Sequence, residues 1–335
     1  MITLNGENIK MPMPCVLSVG KFESIHLGHQ ALIKEIVRLA KGSGLASALV
    51  MFEPHPYRVL SDPGYNPLFT KGEREHLVAG LGVDYLLEYP FDASFAALPP
   101  FQFCRKIYED LQGRYVIVGE GYRFGYKRAG TADTLRQTAM RYNAQVYEVA
   151  TVGEATSTST IRALLSENKL PQAEGLLGYS FFIMGEVTPG RRLGRTIGFP
   201  TINIYPPGEK YLPADGVYAT RTFLDESVYE GVTNIGLRPT VAGADAARSV
   251  ETHLLDYGGG DLYGKHIRTE FLYFIRPEQR FETIDALKRQ IARDCVSLYY
   301  TRESRAEIHE ILQDTVIPGS ESPGFDLDDG IPSRE

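Results

Sequence analysis

The residues from Pro189 to Asn203 combine features suited to holding a polyphosphate. Gly190, Gly194 and Gly198 recur every fourth residue, with Arg191, Arg192 and Arg195 between them. Glycine admits positive φ and lets the backbone approach a ligand closely. Arginine presents a rigid fork of donors matched to phosphate. Thr201 and Asn203 follow, two apart at the start of an expected strand, so their side chains share a face. A hydroxyl and an amide oxygen placed together form a partner pair for Mg²⁺ and a polyphosphate. The alternative is a solvated basic loop leading into an ordinary strand.

Two further groups could do chemistry. His26-Leu27-Gly28-His29 follows an expected strand and opens an expected helix, which puts both imidazoles on one helix face. A helix N-terminus attracts anions through its free N–H groups and its dipole. Imidazoles there can donate hydrogen bonds to a phosphate as charge builds on it. The other reading has one histidine capping the helix and one packing on the sheet; zinc would need a third ligand that the spacing does not place. Glu251 sits in an alternating strand beside the apolar Val250, Leu254 and Leu255. On the pocket side of that strand its carboxylate can take a proton from a substrate hydroxyl; on the other side it is a solvated glutamate.

Composition narrows the classes. With 335 residues the chain exceeds one average core, so two domains are expected. A net charge of −7 argues against nucleic acid or anionic membrane as partner, and makes the arginines of the central loop a local feature. Cys15, Cys104 and Cys295 show neither metal-ligand spacing nor a disulfide framework, which points to a reducing compartment. No apolar run reaches bilayer length and no charged-then-apolar leader opens the chain. The expectation is a cytoplasmic protein.

The elements that must position these residues change character near residue 180. Before it, strands at residues 14–19, 46–52, 84–89, 115–118 and 145–150 alternate with helices at about 27–41, 70–81, 101–111 and 132–142. Such alternation predicts a parallel sheet covered on both faces, with ligands beyond the carboxyl ends of its strands. His26, Glu53-Pro54-His55 and Gly119 to Gly125 each follow a strand and can line one cleft. Ser157, Thr158 and Ser159 open a further helix, where small hydroxyls serve as caps. After residue 180, alternating strands at 181–187, 217–224, 228–235, 249–256 and 266–275 lead to a helix at 283–294, which predicts an antiparallel barrel with a terminal helix. The expected division is 1–180, 181–313 and a disordered tail at 314–335, where little can be buried.

Four ordered segments of the second half resemble riboflavin kinases. Gly194-Arg195, Gly198-Phe199-Pro200-Thr201 and Asn203 resemble the family's ATP/Mg²⁺ loop, with Ile202 where alanine is usual. Asn234 to Thr240 resembles its second loop, and Val250 to Asp256 with Asp261 to Gly264 its catalytic strand. Arg276-Pro277-Glu278 with Phe281 resembles its flavin-side segment, although a turn and a core aromatic account for it equally. In the first half, His26-Leu27-Gly28-His29 resembles the HxGH signature of nucleotidyltransferases. Phe52 to Pro56 and Gly119 to Gly125 resemble the FMN adenylyltransferase half of bacterial FAD synthetases. Ser157 to Arg162 resembles that family's phosphate-binding ISSTxIR segment.

The resemblance implies an α/β nucleotidyltransferase domain of Rossmann-like type followed by a β-barrel kinase domain. It implies that Glu251 deprotonates riboflavin and that Gly190, Gly194, Arg195 and Gly198 hold ATP, with Mg²⁺ on Thr201 and Asn203. It implies that His26, His29 and Arg162 stabilise charge during adenylyl transfer, with Ser157, Thr158 and Ser159 on ATP, and Arg276 and Phe124 on flavin. Riboflavin, FMN and ATP are the expected partners. The chain departs from the pattern at Glu23 and Ser24, which stand where the family has Asp-Gly, at Gly121, where a polar side chain is usual, and at Thr160, where a basic one is common. These departures keep one alternative open, a riboflavin kinase with a degenerate adenylyltransferase half; an alternative of a different class is a flavin-binding regulatory module without turnover.

Overall fold

The structure is a computed structural model that describes residues 1–149, 156–190, 193–238 and 247–298. The chain divides into two compact units at Arg280/Phe281. The first unit begins with β1 (Ile2–Asn5), β2 (Cys15–Val19), α1 (Leu27–Ser43), β3 (Ala46–Glu53), α2 (Pro56–Leu60), α3 (Lys71–Gly80) and β4 (Tyr85–Pro90). It continues through α4 (Ala93–Ala96), α5 (Pro100–Arg105), β5 (Gly113–Gly119), the short hairpin β6 (Arg123–Phe124) and β7 (Gly130–Thr131), α6 (Ala132–Ala139) and β8 (Gln145–Val149).

These strands form a parallel sheet in the order β1-β4-β3-β2-β5-β8. The connections run one way from β2 through β3 and β4, then return to place β5 on its other side. The carboxyl ends of β2 and β5 therefore flank the point where the order reverses, the usual ligand crevice of such sheets. All five residues of β2 are buried, as expected for a central strand covered on both faces. Ile33, Ile36, Val37 and Ala40 recur at helical spacing and form the buried stripe of α1. The sequence reading missed β1, which is half-exposed and held to β4 only along the edge of the sheet.

Two helices, α7 (Thr158–Ser166) and α8 (Leu170–Leu177), lead into β9 (Phe182–Glu186), α9 (Leu193–Thr196), β10 (Thr201–Ile204), β11 (Gly216–Leu224), β12 (Ser227–Arg238), β13 (Ala247–Leu254) and β14 (His266–Arg276). The antiparallel sheet runs β10-β13-β12-β11-β14-β9. Among the described residues its outer strands meet at an isolated bridge between Thr188, just beyond β9, and Asn203 in β10. Residues 284–298 form a helix in the second unit, where the sequence places one. The expected disordered tail lies outside the described residues.

One hydrophobic core spans the expected boundary near residue 180. Leu68, Phe69, Ile161, Leu165 and Leu177 pack in the same cluster as Phe181, Phe182, Tyr218, Val250 and Phe271. A buried ion pair crosses the same place. Lys210 Nζ lies 2.8 Å from Glu73 Oε2 and also donates to the carbonyls of Leu68 and Phe182. Glu73 closes the capping box of α3 with Thr70 and accepts from Met184 N–H at 2.8 Å. Burial lowers the Lys210 pKa, against the opposing pull of Glu73. Removing one member of such a pair strands the other charge in the core and costs about 3–5 kcal/mol. Lys210→Met is expected to lower the urea unfolding free energy by about that amount, and a midpoint unchanged from the parent would contradict this role.

Candidate active site

The first cluster of site residues gathers where β2 ends. His26 is the N-cap of α1, and its Nδ1 accepts the His29 backbone N–H at 3.3 Å. A neutral imidazole accepting at Nδ1 carries its proton on Nε2, leaving that N–H to donate. The His26 and His29 rings stack at 3.8 Å between centroids. His29 Nδ1 is buried and forms no hydrogen bond with a described residue. Desolvation lowers the pKa of His26, and desolvation with the neighbouring His26 lowers His29 to about 3. His26 thus caps the helix, as one of the sequence alternatives expects, and the two rings share one face.

Glu23, a departure from the family pattern, is the hub of this region. Its buried carboxylate accepts from Tyr65 Oη at 2.7 Å, Leu68 N–H at 3.0 Å and Arg162 Nη2 at 3.0 Å. His55 Nε2 lies 3.3 Å from Glu23 Oε2 without hydrogen-bond alignment. Desolvation dominates at His55 and lowers its pKa to about 4, although Glu23 opposes the shift. Ser24 takes ordinary backbone angles; the positive φ values of the turn fall on Phe22 and Ile25. Serine in place of glycine is therefore accommodated without strain, and its hydroxyl sits 2.9 Å from that of Thr158.

The start of α7 divides its hydroxyls between roles. Ser157 caps the helix by accepting from Thr160 N–H at 3.1 Å, and the Thr160 hydroxyl lies 2.9 Å from that of Ser157. Thr158 is tied to Ser24, while Ser159 is exposed. Gly121 has φ of +70°, where a side chain would be strained, and its N–H donates to Glu148 Oε1 at 3.1 Å. Phe124 lies in the hydrophobic core against Phe103 and Tyr122, with 7% of its surface exposed. Its expected flavin contact would require it to present that small remainder.

The second cluster is set by strand register. β10 pairs antiparallel with β13 so that Asn203 faces Glu251 and Thr201 faces His253. β12 pairs with the other edge of β13, placing Asn234 opposite Glu251. Directly opposed residues point to the same side of a sheet with Cβ atoms roughly 4.5–5.5 Å apart. Glu251 is half-buried between two asparagines on the face that also carries Thr201, while Val250, Thr252 and Leu254 pack inward. The inward Ile202 packs against the barrel core, which accommodates the bulk it adds over alanine.

Each loop glycine has a physical reason. A Cβ on Gly190 would stand 2.7 Å from Asn203 Cγ, so the backbone lies directly on the amide. A Cβ on Gly194 would run into the Phe199 carbonyl, where the loop folds back through Phe199 N–H to Gly194 O at 2.8 Å. Gly198 has φ of +89°. His253 Nδ1 donates to Pro200 O at 2.8 Å and steadies the residue before Thr201. The Asn203 backbone carbonyl accepts from Thr188, but its side-chain Oδ1 is buried without a hydrogen-bond donor among the described residues. An orphaned amide oxygen beside a threonine hydroxyl and a carboxylate suits a hard cation. Arg195 is exposed, Arg276 Nη1 donates to Pro277 O at 3.0 Å, and Arg191 and Arg192 lie outside the described residues. Pro239 and Thr240 of the second loop lie outside them too.

Two family models match the chain. A family model described as FAD synthetase matches residues 8–161, and one described as riboflavin kinase matches residues 177–299. The bifunctional riboflavin kinase/FMN adenylyltransferase of Escherichia coli is 39% identical over 286 residues, covering 84% of this chain and 90% of that protein. The chain belongs to the bifunctional riboflavin kinase/FMN adenylyltransferase family. The family's protein from Pseudomonas fluorescens is 34% identical over 284 residues, with the same coverage of both chains. A solved chain described as a macrolide-efflux protein from Streptococcus pneumoniae superposes with a TM-score of 0.77 at 28% identity, covering 88% of this chain and 97% of its own. Among the described residues no helix is long and apolar enough to cross a membrane.

The buried histidines give the fold a pH dependence. His29 and His55 titrate near 3 and 4 when folded, against an ordinary 6.5. Between about pH 4 and 6.5 the unfolded chain therefore binds more protons than the folded one, and stability rises with pH. The contribution is complete above about 6.5 and is lost on acidification, by up to about 1.4 kcal/mol per pH unit per group. The melting temperature is expected to fall between pH 7 and 5, with a shallower slope in His29→Gln. A parent melting temperature that stays constant over that range would contradict neutral burial.

Proposed function

We propose that the chain phosphorylates riboflavin to FMN with ATP at the Asn203–Glu251 cluster, and joins FMN to AMP from a second ATP at the His26–Arg162 cluster. Residues 181–313 are assigned to the first reaction and residues 1–180 to the second. The observation that carries the reading is the register that sets Glu251 between Asn203 and Asn234, with Gly190 pressed on the Asn203 amide.

In the kinase reaction Glu251 takes the proton of the ribityl 5′-hydroxyl. The oxygen attacks the γ-phosphorus, the bond to the bridging oxygen breaks, and ADP leaves. Phosphoryl transfer asks mainly for positioning and charge neutralisation. Gly190, Gly194 and Gly198 bring backbone against the phosphates, and Arg195 supplies positive charge at the exposed end of the loop. Mg²⁺ would be held by Thr201 Oγ1 and Asn203 Oδ1, where it neutralises charge on the phosphates. His253 fixes Pro200, and with it the approach to Thr201. Arg276 is assigned to the flavin side.

In the adenylyl transfer the FMN phosphate attacks the α-phosphorus of ATP and pyrophosphate leaves. His26 donates from Nε2 to the oxygens that gain charge, and His29 lies stacked beside it. Neutral imidazoles suit this donor role across the physiological range, because their lowered pKa values keep them uncharged. Arg162 supplies positive charge, and the exposed Ser159 hydroxyl is directed to the nucleotide together with the start of α7. Phe124 is assigned to the flavin edge. The three free thiols fit a cytoplasmic setting.

The test is chromatographic product analysis with riboflavin, ATP and Mg²⁺, where FMN followed by FAD is expected. Glu251→Gln should lose about 10²–10⁴-fold in FMN formation while still converting supplied FMN to FAD. Undiminished phosphorylation by that variant would overturn the role of Glu251. Absence of FAD from supplied FMN with the parent protein would reduce the reading to a kinase alone.

A further inference from the structure

The loop between β10 and β11 leaves the antiparallel sheet and seats two consecutive residues against the parallel-sheet half. Lys210 enters the buried pair with Glu73. Tyr211 N–H donates to Pro67 O at 3.0 Å, and its hydroxyl donates to Arg162 O at 3.4 Å. The Tyr211 ring lies 4.8 Å from the centre of the Arg162 guanidinium, and the Tyr65 ring lies 4.5 Å from it. Arg162 is thus flanked by two aromatic rings, one from each side of residue 180. Its Nη2 is engaged by Glu23 and by the Asn66 carbonyl, while its Nε is buried without a hydrogen bond to a described residue.

A planar guanidinium stacked on rings keeps its donors in one plane and loses the freedom to swing out of it. Tyr65 is itself fixed, by its hydrogen bond to Glu23 and by stacking on His55 at 5.2 Å. Tyr211 is fixed by its backbone bond to Pro67 and by its buried neighbour Lys210. We propose that Tyr211 is a positioning residue for adenylyl transfer. It is supplied by the loop that follows the metal-holding strand of the kinase site, and it holds the Arg162 guanidinium in one plane, so that its charge stays fixed relative to the nucleotide phosphates. This rests on the assignment of Arg162 to the adenylyl-transfer site. It makes that site incomplete without a residue of the antiparallel-sheet half.

The experiment is a double-mutant cycle on the full-length chain, measuring FAD formation from supplied FMN and FMN formation from riboflavin in the same preparations. Tyr211→Leu is expected to lower kcat for FAD formation about tenfold, the scale of a partly desolvated cation–π contact, with FMN formation unchanged. Tyr211→Phe, which keeps the ring, should retain FAD formation. In an Arg162→Lys background, Tyr211→Leu should cost nothing further, because both changes remove the same held guanidinium. Equal losses in both reactions, or losses that simply multiply in the double variant, would show a general structural role and overturn the proposal. If Arg162→Lys lowers FAD formation but Tyr211→Leu does not, the proposal fails while the reading of Arg162 stands. If Arg162→Lys itself changes nothing, that reading fails and the proposal falls with it.

Discussion

The pairing of β10 with β13 is the constraint on which the kinase half depends. Shifting this register by one residue would turn every β10 side chain to the opposite face. Asn203 and Thr201 would then enter the hydrophobic core, and Ile202 and Ile204 would leave it. Burial of Ile204 and Val250 therefore locks the polar alignment on the other face. Burying each such side chain contributes about 1.5–3 kcal/mol, so the hydrophobic pattern alone is enough to select the register that aligns Asn203 with Glu251. Barrel closure adds a second hold at the same residue, through the bridge from Thr188 to Asn203.

Two buried carboxylates organise the junction between the sheets. Glu73 caps α3, receives the Met184 amide and pairs with Lys210. Glu23 receives Leu68 N–H, Tyr65 and Arg162. Residues 65–70 run between them, so the Leu68 carbonyl serves Lys210 while its N–H serves Glu23. A buried charge is tolerated only when its hydrogen-bonding capacity is met. The two carboxylates receive donors drawn from both halves, which ties the geometry of the His26–Arg162 cluster to the placement of the barrel loop.

Much of this was legible in the sequence, and the limits have physical causes. The alternation of buried strands and amphipathic helices, the change of pattern near residue 180 and the shared face of Thr201 and Asn203 all follow from side-chain period, which is local. Gly190, Gly194 and Gly198 could be singled out by spacing, but the reasons for Gly190 and Gly194 required the Asn203 amide and the Phe199 carbonyl to be folded against them. The departures at Ser24 and Gly121 read as losses in the sequence. In the fold Ser24 sits where ordinary backbone angles suffice, and Gly121 where positive φ requires glycine. Lys210 and Tyr211 carried no local signal, because their partners lie from 28 to more than a hundred residues away in the chain and become neighbours only on folding. Phe124 was placed on the flavin by resemblance alone, and its packing in the core was visible only in three dimensions.

The central claim is that the amide oxygen of Asn203, aligned across the strand from Glu251, holds a metal-bound triphosphate. Electron paramagnetic resonance of Mn²⁺ titrated into protein with ATP measures this directly. Asn203→Leu keeps the branched side-chain skeleton and removes the oxygen, and the account predicts that it loses one Mn²⁺–ATP complex relative to the parent. A variant that binds Mn²⁺–ATP with the parent's stoichiometry and affinity would contradict it.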